Sequence, residues 1–198
     1  TLSSSSAASD VYKRQIEVMD ELVESNPSAK AGVDIALHDI FGKAAKKPLF
    51  RVMGGYRDEV LTDLTLSIKE PKEMAEDALK AVEQGFKALK VKVGVDPKED
   101  VERIKHIRKA VGSDTTIRID ANQGWTVKQA VETLKKLQRF EIEFVEQPVP
   151  AEQVGGLAKV KQNSPIPIMA DESVHTAEDL LPLIKAVSYT HLTLPTKR

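Results

Sequence analysis

Cysteine is absent from the 198-residue sequence, which excludes disulfide bonds and thiolate metal ligands. Long apolar runs are missing as well, since no segment approaches the roughly 20 residues of a membrane-spanning helix. The start of the chain lacks the basic-then-apolar layout of a secretion signal. We therefore expect a cytoplasmic protein with no membrane partner.

Neither sign of charge is in excess. Lysine and arginine together number 29, against 30 aspartates and glutamates, which gives a formal net charge of −1. Such a balance provides no attractive field for a polyanion, so we expect no nucleic-acid partner. A chain of this length corresponds to one large domain or to a piece of one.

The two ends of the chain differ from the rest. Residues 1–15 open with a serine run and show no helical or strand period, and residues 188–198 stop without a helix cap or a closing element. Both stretches resemble translated adapter or assembly sequences. We expect them to be non-native tails, and they are set aside in deriving the fold.

The remainder divides into two parts. Apolar residues recur at three- and four-residue steps through 16–47, which predicts a helical segment. The turn-rich stretch at Gly54 and Gly55 follows, and a boundary is expected near residue 58. The first part is therefore 16–58 and the second is 59–187.

In the second part, strand and helix patterns alternate. Strands are predicted over 60–66, 87–93, 115–120, 142–146 and 166–170. Helices are predicted between them, with Asp96 and Thr126 as N-caps and a last helix from about Thr176 that contains Pro182. This alternation predicts an α/β protein with a parallel sheet and right-handed crossovers.

Charged residues recur at the ends of the predicted strands. Asp120, Glu146 and Asp171 follow one another at intervals of 26 and 25 residues, and Lys92 lies 28 residues before Asp120. Lys90 shares a face of its strand with Lys92, because strand side chains alternate between faces. In a parallel barrel the carboxyl ends of the strands carry the chemistry, so these residues are candidates for one site.

The three acids favour a hard cation. Carboxylate oxygens without histidine or cysteine are the ligands that Mg²⁺ prefers. A competing interpretation is that the acids only form ion pairs with Lys90, Lys92 and Arg118. That account satisfies the charges, but it does not explain why each member ends a strand.

Several segments of the sequence resemble one known family. They are LKVKVG (89–94), RIDANQGW (118–125), FVEQPVP (144–150) and MADESV (169–174), with further agreement over 62–68 and 29–55. In these segments the chain is similar to the enolase superfamily, in its muconate-lactonising branch, and within that branch to the dipeptide epimerases. The resemblance implies the first five strand–helix units of a (β/α) barrel, preceded by a helical remnant of the capping domain.

The resemblance also implies roles for individual residues. Asp120, Glu146 and Asp171 would bind Mg²⁺, and Lys92 would take or return the α-proton of a carboxylate substrate. Lys90 would stand beside Lys92 at the substrate. Thr65 matches a substrate-contacting position, although an ordinary strand threonine is an equal alternative, and Asn122 and Gln147 are expected to be supporting or packing residues.

The function implied is a Mg²⁺-dependent racemase or epimerase acting through an enolate, on a dipeptide such as L-Ala-D/L-Glu. One alternative is a lyase or cycloisomerase of the same branch, such as an o-succinylbenzoate synthase or a muconate cycloisomerase. Another is a catalytically inert fragment or a non-enzymatic binding barrel.

The resemblance covers only part of the family's barrel. Three further strands are expected in a complete protein, including the sixth-strand lysine that serves the opposite face of the α-carbon and the acidic pair that selects dipeptides. We therefore expect a truncated chain that associates with itself and is inactive alone, because five strands leave unpaired edges. The parent protein is expected to be a homo-oligomer.

Overall fold

The computed structural model of the protein describes residues 14–186 and 191–192. Most of the two expected tails, 1–15 and 188–198, lies outside the described residues. Backbone contacts divide the chain between Val60 and Leu61 into two compact units, close to the expected boundary at residue 58. Among the described residues, no helix has the length and apolar character needed to cross a membrane.

The described part of the first unit consists of three helices. They are α1 over 14–22, α2 over Pro27–Ala44 and α3 over Leu49–Val52. The helical period expected over 16–47 is thus interrupted. Ser25 and Asn26 have φ angles of 62° and 58°, in the left-handed region, and Pro27 cannot donate a backbone hydrogen bond to a preceding turn. The chain therefore ends one helix and starts another here.

The second unit is built on one parallel sheet. Its strands are β1 Asp63–Leu66, β2 Ala88–Lys92, β3 Thr116–Asp120, β4 Ile142–Glu146, β5 Ile168–Ala170 and β6 His191–Leu192. Neighbours in the sheet are neighbours in sequence, and every pair is parallel. The predicted α/β class is confirmed, and β1 to β5 each lie within a predicted strand. The two-residue β6 falls in the range that the sequence analysis had set aside.

Helices connect the strands of the second unit. They are α4 Pro71–Glu83, α5 Pro97–Val111, α6 Val127–Leu137, α7 Val154–Asn163 and α8 Ala177–Ala186. Asp96 caps α5 by accepting hydrogen bonds from the backbone N–H groups of Lys98 and Glu99, at 2.8 and 3.0 Å. Thr126 and Gln129 form a reciprocal capping box at the start of α6. Both predicted N-caps are confirmed.

The core of the second unit lies between the sheet and these helices. Leu89 and Val91 of β2 and Ile117 and Ile119 of β3 are fully buried there, among residues of α4, α5 and α6. On β2 the alternate residues Lys90 and Lys92 keep partial exposure on the opposite face. The hydrophobic face therefore fixes which way the charged residues point, as the alternation predicted.

Two glycines bring the loops after β2 and β3 into backbone contact. A Cβ on Gly124 would lie 2.1 Å from the carbonyl oxygen of Gly94, and a Cβ on Gly94 would lie 2.2 Å from that of Ala121. Gly94 also has a φ of 103°, which favours glycine. These loops follow Lys92 and Asp120, so the contact sets the distance between two candidate site residues.

Replacing Gly124 with alanine should lower the free energy of unfolding by roughly 1–3 kcal/mol, because the added methyl group would overlap backbone atoms that cannot move aside. Urea unfolding can be followed by the fluorescence of Trp125, the sole tryptophan, which is buried. Gly155→Ala is the control, since a Cβ there meets nothing within 4 Å. Equal stability of the two variants would contradict the close approach.

Candidate active site

The carboxyl ends of β2, β3 and β4 place three charged residues in one row. Lys92 is level with Asp120, and Asp120 is level with Glu146. The second alignment depends on a register shift between β3 and β4, where Ile117 pairs with Ile142 but Ile119 pairs with Val145. One extra residue of β4 is thereby accommodated, as in a β-bulge, and Glu146 comes level with Asp120.

The two lysines of β2 are ion-paired with the acids of this row. Lys90 Nζ lies 2.9 Å from Asp120 Oδ2 and 2.8 Å from Glu146 Oε2. Lys92 Nζ lies 2.8 Å from the same Asp120 oxygen and 2.5 Å from Asn122 Oδ1. Asp120 is almost fully buried, so its charge depends on these two ammonium groups.

This pairing sets the ionisation of the row. Burial acts to lower the pKa of Lys90, but hydrogen bonds to Glu146 and Asp120 outweigh it and hold that pKa above its ordinary value. Burial acts to raise the pKa of Asp120, and the hydrogen bonds from Lys92 and Lys90 reverse the effect, so that pKa lies below its ordinary value. Asp120 is therefore a carboxylate and Lys90 an ammonium group at neutral pH.

The pKa of Glu146 is shifted in the opposite direction to that of Asp120. Burial raises its pKa, and the charges of Asp120 and Asp171 raise it further, against the opposing effect of Lys90. The pKa of Glu146 therefore lies above its ordinary value, and Glu146 takes up a proton more readily than Asp120. Negative charge on Glu146 is unfavourable near Asp120 and Asp171, and a bound cation would reduce this repulsion.

Asp171 follows β5 and lies past the level of the row, and its place in a metal site stays a prediction. The residue of β5 level with Glu146 is Met169, so Asp171 lies two positions further along the chain. Within 14–186 and 191–192, no three acidic, histidine or cysteine side chains are arranged to hold a metal ion. The nearly equal sequence intervals between the three acids do not bring all three level along the strands, because the register between neighbouring strands also determines their positions.

The residues present nevertheless fit a hard cation. The Lys90 ammonium group lies between the carboxylates of Asp120 and Glu146, so these acids already stabilise positive charge at that point. Their donors are carboxylate oxygens, which suit Mg²⁺. Asp120 and Glu146, with Asp171 beyond them, are the residues that would hold such an ion.

Two other residues of the same sheet face have different positions. Thr65 of β1 pairs in register with Lys90 and is exposed, as a substrate contact would require. Arg118 is level with Lys90 but forms ion pairs with Asp63, at 2.9 Å, and with Glu143. Arg118 therefore does not neutralise the acids of the row, although the competing ion-pair interpretation included it.

Two family models match this chain. The model described as "Enolase C-terminal domain-like" matches residues 73–195, and "Mandelate racemase / muconate lactonizing enzyme, N-terminal domain" matches residues 5–54. The chain belongs to the enolase superfamily. The resemblance found in the motifs is therefore confirmed, including its branch. Both matches extend into the terminal ranges set aside above, whose non-native origin stays a prediction.

Curated relatives in the superfamily are named isomerases. The L-Ala-D/L-Glu epimerase of Clostridium acetobutylicum is 47% identical over 163 residues, which cover 81% of this chain and 46% of that protein. The hydrophobic dipeptide epimerase of Enterococcus faecalis is 47% identical over 169 residues, covering 85% of this chain and 48% of that protein. This enolase-superfamily chain thus spans about half the length of the curated relatives it matches.

A solved structure has the same fold with ligands bound. The dipeptide epimerase of Enterococcus faecalis in complex with Mg and the dipeptide L-Leu-L-Tyr is 45% identical and has a TM-score of 0.84. The alignment covers 88% of this chain and 49% of that one. The enolase-type sheet described here therefore occurs in a protein that binds both a metal ion and a dipeptide.

Gln147 supports the loop that follows β5, in keeping with the supporting or packing role expected for it. Its fully buried side chain accepts hydrogen bonds from the backbone N–H groups of Asp171 and Ser173, at 2.9 and 3.2 Å. Its amide nitrogen donates to the carbonyl oxygen of Val149 and to Ser173 Oγ. Gln147 thus ties the loop that carries Asp171 to the end of β4. Its position directly after Glu146 was the available signal.

Asp100 also supports the site, although no role was predicted for it from the sequence. It is fully buried at the start of α5 and accepts hydrogen bonds from the Gly94 backbone N–H and from Trp125 Nε1, at 3.0 and 3.1 Å. Arg103 pairs with its other oxygen at 2.9 Å. The loops that follow Lys92 and Asp120 are therefore fastened to one carboxylate. No signal in the sequence separated Asp100 from the neighbouring surface acids of α5.

Proposed function

We propose that a full-length protein containing this chain is a Mg²⁺-dependent epimerase that moves the α-proton of a dipeptide. The observation that carries the proposal is the row formed by Lys92, Asp120 and Glu146 at the carboxyl ends of parallel strands. A proton carrier beside acids that fit a cation is the arrangement that proton abstraction next to a carboxylate requires. The relatives named as dipeptide epimerases support the substrate class.

Within this chain, Lys92 accounts for proton transfer on one face of the α-carbon. In one direction the α-carbon–hydrogen bond breaks, its electron pair stays with the substrate and the proton moves to neutral Lys92 Nζ. In the other direction the Lys92 ammonium group returns a proton to the α-carbon. In the structure Lys92 Nζ lies within hydrogen-bond distance of Asp120 Oδ2 and Asn122 Oδ1.

The supporting residues have distinct tasks in this proposal. Asp120, Glu146 and Asp171 would hold Mg²⁺, and the bound ion would stabilise the negative charge that develops on the substrate carboxylate. Lys90, whose raised pKa keeps it charged, adds positive charge next to Lys92. Thr65 lies on the open side of the sheet, level with Lys90, as a contact for the substrate.

The proposal is tested by incubating the full-length protein with L-Ala-L-Glu and with L-Ala-D-Glu. Proton NMR should detect conversion of each dipeptide into the other, with Mg²⁺ present. The substrate of an o-succinylbenzoate synthase, supplied separately, should remain unchanged. Turnover of that compound without dipeptide epimerisation would favour the lyase alternative, and no turnover of any carboxylate would favour a binding barrel.

A further inference from the structure

Asn122 links the proton-carrying lysine to an acid that has no assigned role. Its Oδ1 accepts a hydrogen bond from Lys92 Nζ at 2.5 Å, and its Nδ2 donates to Glu172 Oε1 at 3.0 Å. Its backbone N–H donates to Asp120 Oδ1 at 2.9 Å. One exposed residue therefore contacts Lys92, Asp120 and Glu172, which belong to three different parts of the sheet edge.

The chemistry of the two neighbours leaves the Asn122 amide a single orientation. An ammonium group only donates hydrogen bonds and a carboxylate only accepts them. The amide oxygen must therefore face Lys92 and the amide nitrogen must face Glu172. A rotation by half a turn would place donor against donor and acceptor against acceptor, so Glu172 fixes the direction in which the oxygen points.

The backbone of Asn122 supports the same arrangement. Its φ angle is 41°, in the left-handed region that asparagine tolerates better than most residues. This turn comes two residues after Asp120 and directs the side chain back across the row. A residue with a branched side chain would be strained at this φ angle, and an alanine would lack the amide.

Glu172 depends on Asn122 in turn. Its Oε2 atom is buried and has no hydrogen-bond partner in the part of the chain that the structure describes. A buried carboxylate oxygen without a partner is unfavourable, so a purely structural reason for an acid at this position is weak. Its hydrogen bond with Asn122 is instead a functional reason for the acid, because that bond orients the Asn122 amide.

We propose that Asn122 and Glu172 are positioning residues that aim the Lys92 ammonium group at the α-carbon of the substrate. The lysine side chain has four rotatable bonds, and Asp120 alone restrains Nζ from one side. Asn122 supplies a second restraint from another direction, and Glu172 keeps that restraint correctly oriented. This inference rests on the proposed function, because it assumes that Lys92 carries the proton.

The kinetic test measures α-deuterium exchange in the full-length protein, for the dipeptide stereoisomer whose exchange Lys92→Ala abolishes. Asn122→Ala and Glu172→Ala should each lower kcat for that isomer by about 10- to 100-fold with little change in KM, since misaligned reacting groups cost rate rather than binding. Exchange of the other isomer should change less than about twofold, because it does not use Lys92.

The conservative variant Glu172→Gln separates the effect of the hydrogen bond to Asn122 from the effect of the negative charge on Glu172. Glu172→Gln retains an oxygen that accepts from Asn122 Nδ2, so it should stay within about threefold of the wild-type rate. Equal defects in Glu172→Ala and Glu172→Gln would overturn the inference, and so would equal losses for both stereoisomers. Absence of exchange in the wild-type protein would instead contradict the proposed function.

A spectroscopic measurement on the full-length protein needs no turnover. The proton–nitrogen NMR signal of the Lys92 ammonium group should shift, and its hydrogens should exchange faster with water, in Asn122→Ala and in Glu172→Ala. The Lys90 ammonium signal is the internal control, since its partners are Asp120 and Glu146. An unchanged Lys92 signal in both variants would overturn the inference whether or not the protein is an epimerase.

Discussion

Lys92→Ala in the full-length protein should abolish deuterium exchange at the α-carbon of one dipeptide stereoisomer and leave exchange of the other. Lys92 is fixed on one face of the site, and a second base is expected on the opposite face. Removal of a general base costs about 10²- to 10⁴-fold in rate. Deuterium incorporation into L-Ala-L-Glu and L-Ala-D-Glu, followed separately by NMR, measures the effect.

Lys87→Ala provides the matched control for this experiment. Lys87 is exposed and immediately precedes β2, so it lies at the opposite end of the strand from Lys92. Its removal should leave both exchange rates unchanged. Equal loss for the two stereoisomers in Lys92→Ala would argue against one lysine serving one face, and unchanged exchange would remove Lys92 from the chemistry.

Lys90→Met should lower the free energy of unfolding by roughly 1–3 kcal/mol when no Mg²⁺ is present, because Glu146 loses the ammonium group that pairs with it and Asp120 keeps only Lys92. Asp120 is 1% exposed and Glu146 is 8% exposed, so water cannot replace the ammonium group. Added Mg²⁺ should recover part of the loss, because a ligand that binds only the folded protein stabilises it.

Urea unfolding of the full-length protein with chelator, and then with Mg²⁺, makes this measurement. Lys128→Met is the control, since the Lys128 side chain is exposed and its ion pair with Glu132 is long, at 4.0 Å. It should change stability little and show the wild-type response to Mg²⁺. If Lys90→Met matched the wild type in stability, the ion pairs of Lys90 with Asp120 and Glu146 would not be a stabilising feature.

Much of the fold could be predicted because local chemistry determines it. Asp96 followed by Pro97, and Thr126 with Gln129 three residues later, define helix starts through backbone hydrogen bonds that form within one turn. The alternation of β2 separates its lysines from its buried face for a similar reason. Such signals require no knowledge of distant residues.

The heights of the acids could not be predicted from spacing. Glu146 comes level with Asp120 only through the register shift in β4, where Glu143 and Phe144 both approach Arg118. Asp171 lies past the level of the row, because β5 pairs through Met169. Register depends on pairing between strands, and intervals of 26 and 25 residues do not encode it.

From the sequence, ion pairing and metal binding were rival interpretations of the three acids. Asp120 and Glu146 pair with the Lys90 ammonium group, so the ion-pair interpretation and the proposed cation site involve the same two acids. Positive charge is what the row requires.

Gln147 and Asn122 were expected to be supporting or packing residues, but their hydrogen-bond partners could not be predicted from the sequence. Gln147 hydrogen-bonds to residues 24 and 26 positions away, and Asn122 to one 50 positions away. Only the folded sheet brings these partners together. Their place next to Glu146 and Asp120 was visible in sequence, but the partners that give them a task were not.

The most direct test of the central claim is the metal dependence of α-proton exchange. The full-length protein is placed in deuterium oxide with L-Ala-L-Glu, and deuterium incorporation is followed by NMR in excess chelator and after Mg²⁺ or Mn²⁺ is restored. We expect incorporation to stop with the chelator and to return with the metal. Full-rate incorporation in excess chelator would contradict a site in which Asp120, Glu146 and Asp171 act through a bound cation.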